Sequence, residues 1–277
     1  MSLYAGWIGA CAVGCLAVVA WHAVYRRVEA SLPREAEYTI TAENIELTTP
    51  PGWIHHDIRR EILRNATLEP RLSLLSDDLC AKLFEAARAH PWIAEVRRVE
   101  KSYPHRVVVD VVYRKPVCMV RVPGGVRPVD AEGVVLPSTD FTPIEAGRYP
   151  LLDGIHTTPA GPAGCAWGDP AVAAGARVAA VLADDWQRLK LARILPLSSI
   201  TPTPGTAEVI VIETRDGSRI LWGDVSDTAS STDATARTRL ERLREYVRIH
   251  GTYCGPKGPQ VLDLRLPSGI HVSPLYD

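Results

Sequence analysis

The sequence is short of several things, and each shortage removes a class of function. It lacks a charge imbalance: among 277 residues, Lys+Arg number 31 against Asp+Glu 32, for a formal net charge of −1 and a pI near 6.7. A total so balanced gives no net basic footprint for collecting phosphates, so nucleic acid is not an expected partner. Lysine is scarce, confined to Lys82, Lys101, Lys115, Lys190 and Lys257, so the positive charge is nearly all arginine. Catalytic signatures are missing too. There is no G-x-S-x-G, P-loop, G-x-G-x-x-G or H-E-x-x-H pattern. No catalytic residue, cofactor or small-molecule substrate is therefore assigned, and the chain is not expected to be an enzyme. The 6 cysteines lack paired or metal-ligand spacing. Cys80 and Cys118 fall in apolar patterns and read as core, while Cys165 and Cys254 sit in Gly/Pro-rich stretches and leave pairing open. The string His55-His56-Asp57 offers ligand chemistry, but adjacent side chains point apart and no second set matches its spacing, so no metal site is assigned. Asp77-Asp78 and Asp184-Asp185 read as solvated carboxylates.

The apolar residues, 46% of the chain, are unevenly placed. From Leu3 to Tyr25 there is no Asp, Glu, Lys or Arg. As a helix this stretch would run roughly 34 Å, enough to cross a bilayer core of about 30 Å. Tyr4 and Trp7 stand near one end and Trp21 and Tyr25 near the other, as interfacial aromatics do. An uncleaved span is the reading adopted. A cleaved signal peptide ending near Val18-Val19-Ala20 is the alternative, although it lacks a basic leader and is long for one. Arg26-Arg27 follow the span, so the positive-inside rule taken alone would keep the body cytoplasmic; a misplaced start codon is a second explanation, and orientation stays open.

The remaining chain alternates strand and helix signals. A strand is expected over 38–47, then a turn at Pro50-Pro51-Gly52 and a short helix from about His56 to Asn65 with Ile58, Ile62 and Leu63 on one face. Ser76 is expected to cap a second helix carrying Leu79, Leu83, Phe84 and Ala87 inward, and Pro91 to end it. Strands are expected from Ile93 to Lys101 and from Arg106 to Arg114 about a Tyr103-Pro104 turn. The order β-α-α-β-β describes a compact α+β unit. Arg97, Arg98, Lys101 and Arg106 form its basic patch, read first as a solvated strand face.

Beyond Val117 the pattern is β-rich, with strands from Val117 to Val122 and Val126 to Val129. Asp169 and Pro170 open a long helix whose Val172, Ala176, Ala179, Ala183 and Trp186 should face inward. Arg215-Asp216-Gly217 between β-rich runs is a hairpin signal. Asp233 is expected to cap a helix with Leu240, Leu243 and Val247 inward and Arg237, Arg239, Arg242, Arg244 and Arg248 outward, ended by Gly251.

Three groups of residues carry a family resemblance. The first runs His90-Pro91-Trp92-Ile93, Val96-Arg97-Arg98-Val99, Tyr103-Pro104, Val107 to Val112 and Arg114-Lys115-Pro116-Val117. The second is Asp130-Ala131-Glu132-Gly133-Val134-Val135-Leu136 with Tyr149-Pro150-Leu151-Leu152-Asp153-Gly154, and the third runs from Val261 to Val272. In this order they resemble the bacterial cell-division proteins FtsQ and DivIB, with Tyr113, Cys118 and Leu266 standing where that family has Glu, Ala and Tyr. The resemblance implies a transmembrane anchor over 1–27, a linker over 28–36, a POTRA domain over 37–116 and a mainly antiparallel β-domain with two helices over 117–277.

It also implies a function. Such a protein is a bitopic scaffold of the divisome, set in the inner membrane at the septum with its body on the periplasmic or extracytoplasmic side, helping to control septal peptidoglycan synthesis. Partners of the FtsB/FtsL type would add a strand to the C-terminal edge, carried over by position to Arg265, Leu266, Ser268, Gly269, Ile270 and Val272. The alternative is a POTRA-bearing component of protein export or outer-membrane assembly. Against it, the chain after the POTRA unit shows no regular run of alternating ten-residue barrel strands.

Overall fold

A computed structural model describes residues 21–22, 40–66, 74, 76–102, 105–200, 209–225, 233–266 and 268–276. Among these no helix is long and apolar enough to cross a membrane. The expected span over 3–25 lies outside them except for Trp21 and His22, as do the 28–36 linker and the Tyr103-Pro104 turn.

The architecture is α+β. Its first unit comprises β1 (Ile45–Leu47), α1 (Ile58–Ala66), α2 (Leu79–Arg88), β2 (Ile93–Ser102) and β3 (Arg106–Tyr113). The sheet order is β1-β3-β2, with β1 parallel and β2 antiparallel to β3. Both helices lie on one face, where Ile58, Ile62, Leu79, Leu83 and Ala87 pack with Trp92, Val107 and Val109. Removing each large side chain from water contributes roughly 1.5–3 kcal/mol, which is what holds so small a unit together.

Two expectations are corrected here. Of the strand foreseen over 38–47, Tyr38 and Thr39 lie outside the described residues, and the rest is regular only from Ile45, because Ala42–Asn44 form a 3-10 turn. The Asn44 carboxamide oxygen accepts from the Thr41 backbone N–H at 2.9 Å, so turn chemistry overrides the alternating pattern. Nor does Ser76 cap α2, which begins two residues later behind Asp78; the Ser76 hydroxyl is spent on the Asp78 carboxylate instead. In the basic patch, Arg98 pairs with Glu100 and Arg106 with Glu46, and Lys101 donates to the Ser76 carbonyl, as on a solvated face.

The second unit contains β4 (Cys118–Val122), β5 (Gly125–Val129), a 3-10 turn at Ser138–Asp140, α3 (Pro143–Ala146), β6 (Leu151–Leu152), α4 (Pro170–Leu182) and β7 (Leu191–Pro196). After these come β8 (Val209–Thr214), β9 (Arg219–Asp224), α5 (Asp233–His250), β10 (Gln260–Asp263) and β11 (His271–Pro274). One eight-stranded sheet runs β11-β10-β9-β8-β7-β6-β4-β5. It is mixed rather than mainly antiparallel: β10 on β9, β4 on β6 and β6 on β7 are parallel pairs. Each parallel pair closes a long excursion, as a crossover requires. Helices α4 and α5 cover one face, burying Val172, Ala176, Ala179, Leu240 and Leu243 over Ile194, Ile210, Ile212, Ile220 and Trp222.

Local chemistry explains the element ends. Asp169 Oδ1 accepts from the Ala171 N–H at 2.9 Å, and Pro170 fills the first turn of α4. The β8–β9 hairpin turns on Asp216, which accepts from the Ser218 N–H at 3.2 Å, and on Gly217 at φ 86°. Gly251 ends α5 at φ 69°, its N–H reaching the Val247 carbonyl at 2.8 Å.

Other expectations fail because α4 stops at Leu182. The chain then turns over 183–190, so the helical phase lapses: Ala183 is exposed and Asp185 is buried. Asp185 is gripped by Arg188 and by Arg244, whose Nε donates at 2.9 Å. Arg244 therefore does not simply face solvent, and Arg239 is buried as well. Val134 and Val135 make only isolated bridges, to Ala166 and Val129. Cys165 and Cys254 are free thiols, and Cys118 is buried as expected while Cys80 is half-buried.

Candidate partner-binding edge

A sheet end exposes one row of backbone donors and acceptors, and the two ends of the large sheet differ in how they treat it. At the β5 end the last part of the row is covered. Val135 bridges Val129, and the Leu136 N–H donates to the Pro128 carbonyl at 2.9 Å. At the other end β11 pairs with β10 alone, and among the described residues no strand lies beyond it.

The register places Leu262 opposite Val272 and Asp263 opposite His271, and the Leu275 N–H returns to the Pro259 carbonyl at 3.0 Å. By antiparallel alternation, His271 and Ser273 direct their backbone groups to β10, and Val272 and Pro274 direct theirs outward. Pro274 has no N–H. The outward row of this strand is thus the Val272 N–H and carbonyl and the Pro274 carbonyl.

Of the six residues assigned to this edge, only Val272 lies in β11. The others occupy the connection from β10, where Arg265 is already engaged: its Nε and a terminal nitrogen donate to the Asp263 carboxylate at 2.9 and 2.7 Å. The Arg265 guanidinium beside Asp263 holds that carboxyl below the usual range against a smaller opposing effect of burial. Leu266 is 45% exposed, and its carbonyl accepts from Arg242 of α5 at 2.8 Å. Ser268 is exposed, Gly269 takes φ 144°, and Ile270 and Val272 are half-buried against the core under α5.

Beside this connection a shallow groove of about 400 Å³ runs along the last turns of α5, lined by Arg242, Tyr246, Ile249 and Ile270. Ile249 is 61% exposed there. The groove escaped the sequence reading because Ile249 falls outside the inward stripe of Leu240, Leu243 and Val247 and reads as one stray apolar residue.

The string His55-His56-Asp57 divides on folding. His55 faces Glu145 at 3.6 Å and Asp57 holds Arg59 at 2.9 Å, whereas His56 turns inward to Glu61, Asp140 and the ring of His90. Glu61 and Asp140 carry no motif and were not singled out in the sequence, and His90 entered only as the first residue of the His90-Pro91-Trp92-Ile93 string. Compared with known proteins, the chain matches no family model and no curated protein.

Proposed function

We propose that this chain is a non-enzymatic scaffold of the bacterial division machinery, held in the inner membrane through residues 3–25 with its body outside the cytoplasm at the septum. In this reading a partner of the FtsB/FtsL type adds a strand along β11 and rests a hydrophobic side chain in the groove beside Ile249. The observation that carries it is the open β11 edge at one end of the large sheet. The β-α-α-β-β unit ahead of that sheet and the order of the three motif groups add support.

A backbone-mediated mode makes a sharp test available. Proline is tolerated on an edge strand where the N–H faces outward, but it removes that donor. Val272→Pro is therefore expected to leave the chain folded and to abolish recovery of the coiled-coil partner in a pull-down. Undiminished recovery would exclude strand addition at β11. In dividing cells a fluorescent fusion is expected to concentrate at constrictions, and even dispersal around the envelope would refute the division role.

A further inference from the structure

Four ionisable side chains converge where α1, the end of α2 and the 138–140 turn meet. His90, in the turn after α2, has a side chain only 1% exposed, and its Nε2 lies 3.0 Å from Glu61 Oε2 on α1. His56, just before α1, places Nδ1 2.8 Å from Asp140 Oδ1 and Nε2 3.5 Å from Glu61 Oε1. Ligand atoms of His56, Glu61 and His90 all fall within 4.8 Å of one another.

The Asp140 carboxylate is buried and accepts from the Trp92 indole N–H at 3.0 Å and the His55 backbone N–H at 3.1 Å, besides facing His56. A carboxylate only accepts, so neutral His56 must carry its proton on Nδ1. Its Nε2 faces Glu61 Oε1 at 3.5 Å. His56 Nε2, His90 Nε2 and the Glu61 carboxylate thus face one small volume.

The geometry points to a site for a divalent transition-metal ion of the zinc class, ligated by His56 Nε2, His90 Nε2 and the Glu61 carboxylate. Two imidazoles and one carboxylate form a nitrogen–oxygen set that leaves a fourth position open. Imidazole ligands favour zinc-class ions over magnesium or calcium. Asp140 is the outer partner that fixes the tautomer and direction of a ligating histidine. On binding, the His90 proton moves from Nε2 to Nδ1 and no proton leaves that ring. What yields is the Trp92 amide contact on Nδ1, at 3.3 Å already past the usual hydrogen-bond length. His56 and Glu61 are 30% and 40% exposed, which gives the ion an entry path and lets both side chains close on it.

The test uses the full chain, stripped with a chelator and titrated with Zn²⁺ alone and, separately, with Co²⁺. One ion per chain is expected, with His56→Gln and Glu61→Gln each weakening binding at least about 10-fold. A cobalt spectrum of nitrogen and oxygen ligation is expected, without a thiolate charge-transfer band. Unchanged affinity in either variant, absence of binding at micromolar metal, or a thiolate band from Cys165 or Cys254 would each overturn the site. Should a variant fail to fold by circular dichroism, the wild-type cobalt spectrum decides alone.

Discussion

Asp185 is buried in the turn after α4, with Arg188 on one carboxylate oxygen and Arg244 of α5 on the other. Burial pushes its carboxyl pKa up, but bonds to Arg244 and Arg188 outweigh that and hold it below the ordinary value. A carboxyl with a depressed folded-state pKa contributes stability above its unfolded pKa of about 3.9 and loses that contribution as pH falls through the folded value. Asp185→Ala is expected to cost roughly 1–3 kcal/mol near neutral pH and to make the acid limb below about pH 4 shallower. Urea unfolding across that range is the measurement, and an unchanged acid limb would assign it to Asp153, Asp216 and Asp263 instead. The sequence could not single out Asp185. Asp184 and Asp185 are equivalent on paper, and the deciding partner, Arg244, stands 59 residues away.

Turns and caps were the legible part of the elements, because their chemistry is local. Asp130 and Gly133 illustrate both the reach and the limit of that. Asp130 Oδ1 accepts from the Val134 N–H at 2.8 Å, and Gly133 takes φ 77°, as an Asp-x-x-Gly turn implies. What no local pattern reveals is that Gly133 also abuts α4, where an added Cβ would lie 3.2 Å from the Ala173 Cα. Gly133→Ala therefore meets both a left-handed backbone and a close backbone neighbour. We expect it to destabilise the chain by roughly 1–3 kcal/mol, seen as a lower thermal midpoint, whereas Gly124→Ala, at φ 88° but in open space, should cost less. Where a boundary depended on distant packing, as at Ser76 or the end of α4, the sequence placed it two or more residues off.

At the scale of the molecule, the core of the first unit draws on residues from beyond its own elements. The expected division after residue 116 leaves out Leu136, which is buried in the core of the first unit, and Asp140, which holds the Trp92 indole. Leu136 lies beyond a β-hairpin of the other unit, so its apolar character could not indicate which core it fills. A fragment spanning 40–116 is expected to unfold at lower denaturant than one spanning 40–149, by roughly the 2–5 kcal/mol that loss of a buried leucine costs. Equal midpoints would show that the first core closes without its neighbour. The joint is also where Glu61, His56 and His90 meet, so the candidate ion site and the contact between units share Asp140.

The unequal ends of the large sheet constrain symmetry. Head-to-tail stacking of identical chains needs two complementary edges on each, and here Val135 and Leu136 narrow the β5 edge by covering its 128–130 end. Two copies that join β11 to β11 do so about a two-fold axis, and that union consumes the edge on both. Association of that kind closes at a pair and competes directly with any partner strand for Val272.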